Sequence, residues 1–280
     1  MTEKYLESMG FQPTDIRDNL IQVDHTMVQG LMNRGGFDHI AIYSDPSGVN
    51  LTLVKTSNGF SVEIPTVRGV GGYRVEVFQV MPGTAQVDIL NDDGKTEFRV
   101  LAFVDDPLMY PWAQQVKEQG IFKLLVDETI KYRGYYLGAI AIDLNVYDSV
   151  EEWRDAQTPI VPEGQITKSG LKGPVYMGPK FVSSPWLFEL YGGNVEATHV
   201  NPSALFKAIC KKVDVVTNEL TGKKWYRVLA DCGFDVILAM PIDASPIPKT
   251  GSVVDGRAFI TASTGFWCQD QPMAEQIIGI

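Results

Sequence analysis

Along most of the chain, apolar positions recur every second residue rather than every third or fourth, which predicts strands. Residues 39–43 (HIAIY), 50–55 and 60–64 form three short runs of this kind. Their breaks are Ser44-Asp45-Pro46-Ser47-Gly48 and Ser57-Asn58-Gly59. Asn58-Gly59 marks a two-residue hairpin, because both positions tolerate positive φ. Three more strands are predicted over 73–80, 85–90 and 97–104, separated by Met81-Pro82-Gly83-Thr84 and Asn91-Asp92-Asp93-Gly94. Turns this short join antiparallel neighbours, since a parallel pair needs a long crossover.

Helical signals are fewer. The first 35 residues are predicted helical or mixed, with Thr14 and Asp15 as caps and Val28, Leu31 and Met32 at helical spacing. Asp106-Pro107 has the cap-then-proline order of a helix start, and a helix is expected over much of 111–130, with Gly120 as a break. A strand follows over 135–146. Ser149 and Glu152 then stand at the capping-box spacing of a short helix ending near residue 156.

Between 159 and 185 the composition changes. Nine Pro and Gly residues, from Pro159 to Pro185, rule out a sustained helix or a central strand. This stretch is either a linker or an ordered excursion, with Tyr176, Phe181 and Trp186 available for packing. Strands resume over 213–217 and 224–230 around a Thr221-Gly222 turn. Phe234, Val236, Leu238 and Met240 share one face of the next strand, and another is predicted over 253–262. The expected class is α+β, mainly antiparallel β. An acidic mixed domain over 1–158 leads through a Pro/Gly-rich segment (159–194) to a small, β-barrel-like, OB-like domain over 195–280.

Charge sharpens this division. The net charge of −10 resides entirely in residues 1–158, which carry 13 basic and 23 acidic side chains. The 159–194 segment is net +1 and the remainder −1. An acidic surface disfavours double-stranded nucleic acid and anionic membranes and favours a basic protein partner. No apolar run reaches the roughly 18 residues of a membrane span. Three cysteines without a CxxC, and an opening MTEKYLESMG unlike a secretory leader, point to free thiols and a cytoplasmic location.

Catalytic signatures fail one by one. Thr221-Gly222-Lys223 lacks the first Gly of a phosphate loop, since Thr217 stands there, and Lys224 replaces the final Ser/Thr. The glycines at 69, 71 and 72 precede a strand, not a helix. Asn91-Asp92-Asp93-Gly94 is out of calcium-loop register because Ile89 replaces an acid. There is no HExxH or GxSxG, and Asp231 beside Cys232 disfavours a thiolate. No cofactor or metal site is predicted. Asp105 and Asp106, at a strand end beside Tyr110 and Trp112, are the strongest candidate acid–base pair, with His39 or His25 as a partner. Trp225, Phe234, Phe259 and Trp267, near Lys211-Lys212 and Lys223-Lys224, are either a stacking platform or core. The expected function is a non-catalytic binding or assembly protein for a basic partner or small ligand. The alternative is a hydrolase-like enzyme built on the strand-end carboxylates.

Overall fold

The computed structural model describes residues 4–11, 37–56, 61–268 and 271–277. The Thr14-Asp15 cap, the 28–32 helical pattern, His25 and the Asn58-Gly59 turn lie outside the described residues. What is described is mostly strand, with mainly antiparallel pairing.

Strands β1 (Phe37–Ser44), β2 (Val49–Thr56) and β3 (Ser61–Val67) form a small antiparallel sheet. A larger sheet contains β4 (Val70–Met81), β5 (Thr84–Leu90), β6 (Thr96–Val104), β9 (Ile130–Tyr147), β10 (Phe181–Ser183), β11 (Ser203–Thr217), β12 (Lys224–Asp231), β13 (Asp235–Pro241), β14 (Val253–Ser263) and β15 (Glu275–Ile277). Strands β7 (Gln114–Glu118) and β8 (Ile121–Leu125) make a separate hairpin. The described helices are short: α1 (Lys4–Glu7), α2 (Val150–Asp155) and α3 (Pro185–Tyr191), with 3-10 turns at Pro107–Met109 and Ala197–His199. Among the described residues no helix is long and apolar enough to cross a membrane.

The long β9–β14 ribbon organises the large sheet. One edge of β9 pairs with β14; its other edge is divided between β4 and, at Gly138–Ile140, β13. Strand β14 divides its second edge between β11 and, at Thr261 and Ala262, β6. Since β5 joins β4 to β6, and β12 joins β11 to β13, the ribbon is shared by two closed circuits of strands. The pairings β13–β9 and β14–β6 are parallel and brief. Strands from both sides of the 159–194 segment therefore hydrogen-bond within one sheet.

Burial follows the period-two pattern. On β13, Val236, Leu238 and Met240, with Phe234 just before the strand, enter the interior cluster that also takes Val75, Val87, Leu137, Phe206 and Val228. The alternate residues Ile237 and Ala239 face outward and meet Leu6, Met9, Phe11, Val49, Leu51 and Trp225. The small sheet and the N-terminal turn thus cover one outer face of the large sheet. Trp225 and Phe234 are core residues rather than a stacking platform.

The region 111–130 forms the β7–β8 hairpin instead of the expected helix. Gln119 (φ 50°) and Gly120 (φ 85°) are both left-handed, the conformation of a two-residue hairpin turn. A glycine that weakens a helix interior is favourable here. Leu124 points inward against Leu187 and Leu190 of α3, while Ile121 and Leu125 face solvent. The helix expected at Ser149 is present, and the Ser149 Oγ accepts from the Glu152 N–H at 3.2 Å.

Candidate functional site

Asp105 and Asp106 follow β6 into the junction where β6 and β14 pair. Both are buried, at 1% and 2% exposure. Asp106 precedes the 3-10 turn at Pro107–Met109 but makes no side-chain cap bond to it. Its Oδ2 instead accepts from the Thr264 N–H at 3.2 Å and from the Thr264 hydroxyl. Asp105 Oδ2 accepts from Asn50 Nδ2 and Thr66 Oγ1, both at 3.4 Å. The Asp105 carbonyl accepts from Thr52 Oγ1 and, at 2.8 Å, from Trp267 Nε1. The pair therefore ties the small sheet and the segment after β14 to the end of β6.

Electrostatically this is an unfavourable place for charge. The Oδ1 atoms of both carboxyls are buried without a hydrogen-bond partner among the described residues. Burial, and then the neighbouring Asp106, hold the Asp105 carboxyl well above the usual carboxylate range. Burial also raises Asp106, against hydrogen bonds from Thr264 and Tyr110 that pull it down. Beyond them the Tyr110 and Tyr135 hydroxyls meet at 2.6 Å, both pushed well up chiefly by burial. The depression beside Asp106, walled by Ile40, Leu108, Phe266 and Trp267, measures about 10 Å³. That is room for about one water molecule. His39 lies in β1 opposite Lys55, and its side chain is outside the described part of the structure.

A roomier groove lies elsewhere, on the outer face of β9, β14 and β11. It measures about 410 Å³, within the range of small-ligand pockets. Its floor is a cross-strand lattice in which Lys207 faces Asp255 and Asp255 faces Asn145, while Leu205 faces Arg257 and Arg257 faces Asp143. Asp255 Oδ2 accepts from Trp153 Nε1 at 2.8 Å, Lys207 Nζ at 2.5 Å and Gln157 Nε2 at 3.4 Å. The Lys207 ammonium lies 5.5 Å from the Trp153 ring centroid. This ion pair is mostly buried and well supplied with hydrogen bonds, so it is a fixed part of the floor. The Arg257–Asp143 pair is long, 3.8 Å, and solvent-exposed. Such a pair contributes little and yields readily to a competitor.

Local sequence explains the groove's shape. The ladder shifts register between Arg257 and Ala258, a bulge beside Gly256. A Cβ on Gly256 would stand 2.1 Å from the Asp143 carbonyl oxygen, so only glycine allows these strands so close. Ile160, Met177 and Phe181 supply an apolar wall. Pairing of the predicted capping residue Ser149 with Glu152 starts α2, which delivers Trp153 to Asp255.

Above the groove rises an arm of residues 159–180. Val161 and Val175 bridge its base, and Ile166 and Lys172 bridge near its tip. At the tip, Thr167 N–H donates to the Leu171 carbonyl at 2.9 Å, and the Thr167 hydroxyl accepts from Leu171 N–H at 3.0 Å. The arm is thus ordered by its own bonds, although most of its side chains are exposed. No family model matches the chain, and neither the curated proteins nor the solved structures contain a significant match to it.

Proposed function

We propose that the protein is a non-catalytic binding or assembly protein, and that the 159–180 arm is its contact element. One observation carries this reading. Ile160, Ile166, Leu171 and Tyr176 are 60%, 64%, 55% and 44% exposed along a preformed hairpin. Scattered apolar side chains need no explanation, but several on one projecting element mark an interaction site. Because the hairpin is already ordered, docking it forfeits little conformational entropy. The acidic character of residues 1–158 favours a basic partner, with association that slows as salt rises.

The test is capture of partners from host extract by the intact chain and by an Ile166→Ser/Leu171→Ser variant. Both side chains are exposed, so the variant is expected to fold normally. Partners should be retained by the intact chain at low salt and lost by the variant. Equal capture by both would contradict the reading. A second reading, a hydrolase-like site at Asp105 and Asp106, draws support from their raised carboxyl pKa values, which suit a general acid. Under that reading a small substrate would be turned over, and Asp105→Asn would abolish turnover.

A further inference from the structure

We infer that the arm tip of one copy docks in the groove at the arm base of a second copy. This rests on the binding reading above and names its partner, a second copy of this chain.

The two surfaces match in chemistry. The tip carries Ile166 and Leu171, both exposed, and also Lys168 and Lys172, which make no ion pair to a described residue. The groove offers the apolar wall of Ile160, Met177 and Phe181, the exposed Leu205, and Asp143 at its mouth. Among the described residues Asp143 pairs with Arg257 alone, at 3.8 Å, so a lysine from the tip meets a carboxylate with capacity to spare. Asp255 is already saturated by Lys207, Trp153 and Gln157 and stays out of the exchange.

Charge also selects this contact over others between copies. A chain of net charge −10 repels its own kind, and only a locally basic element relieves that repulsion. The arm segment is net positive, and most of its side chains are exposed. Because groove and tip belong to the two ends of one element, two copies can exchange arms reciprocally about a two-fold axis. Such an interface closes on itself and yields a dimer rather than a filament.

The test is sedimentation velocity over a concentration series, with folding of each variant checked by circular dichroism. The wild type should dimerise as its concentration rises. Ile166→Glu/Leu171→Glu at the tip and Leu205→Glu in the groove should each weaken dimerisation at least tenfold. Mixing the two variants should restore association, because one intact tip then meets one intact groove. Lys168→Glu/Lys172→Glu should behave like the tip variant and recover when Asp143→Lys is added. A wild type that stays monomeric at every concentration overturns the inference. If arm substitutions then still abolish capture of some other partner, the binding reading survives. A dimer that ignores both variants, or variants that fail to complement, overturns the arm–groove contact while leaving assembly by another surface.

Discussion

Trp225→Ala is expected to lower the free energy of unfolding by about 3–5 kcal/mol, the range for deleting a large buried aromatic side chain. Trp225 is fully buried at the start of β12, where it pairs with Pro241 of β13. Its ring packs among Leu6, Met9, Phe11, Leu51 and Ile237, so it holds the N-terminal turn and the small sheet against the large one. The backbone crowds it as well, since a Cβ on Gly10 would stand 3.2 Å from the ring. Closely surrounded sites collapse little when emptied, which keeps the cavity cost high. Urea titration followed by circular dichroism measures the loss. A change below about 1 kcal/mol would mean that this contact does not hold the two sheets together.

The second large effect is a pH dependence centred on Asp105. Its folded pKa is raised above the ordinary value of about 3.9, by burial first and by Asp106 second. The folded state therefore holds protons that the unfolded chain has released. Stability from this site is fully present below the unfolded pKa and is lost as pH rises through the raised folded pKa. Asp105→Asn keeps an acceptor for Asn50 and Thr66 and removes the charge. At pH 8 the variant is expected to be more stable than the wild type by roughly 1–3 kcal/mol, the desolvation cost of a buried carboxylate whose Oδ1 has no hydrogen-bond partner among the described residues. Near pH 4 the two should converge. Thermal melts of both proteins from pH 4 to 9 give the comparison. A variant less stable than the wild type at pH 8 would mean that the carboxylate is compensated in the fold.

Much of the strand architecture was legible because alternation survives wherever one face of a strand is buried. Residues 73–80, 85–90, 97–104, 135–146, 224–230 and 253–262 all lie in observed strands. The failures have physical causes. The 114–125 hairpin is rich in Gln, Lys, Glu and Leu, residues of good helix propensity, and its turn type decided against them. Strand β11 begins ten residues before the predicted 213–217, although Ala204, Phe206, Ala208 and Cys210 alternate inward and were a usable signal. The 159–185 segment was recognisable as irregular, but its own ladder of hydrogen bonds was not. Asp105 and Asp106 were visible at a strand end. Their burial depended on Asn50, Thr66 and Thr264, brought from distant parts of the chain. The groove was invisible for the same reason. Asp143, Lys207 and Asp255 acquire meaning only through the register of three strands.

Contact through the arm can be read directly at its tip. The three native cysteines are buried, and burial raises all three thiols, Cys210 and Cys232 to about 12, which disfavours their reaction with a thiol-directed label. Ser169→Cys therefore places a single environment-sensitive fluorophore at the exposed tip while leaving Ile166 and Leu171 intact. A saturable blue shift of its emission is expected as protein concentration rises. Emission that stays unchanged across the whole concentration range, with and without host extract, would contradict it.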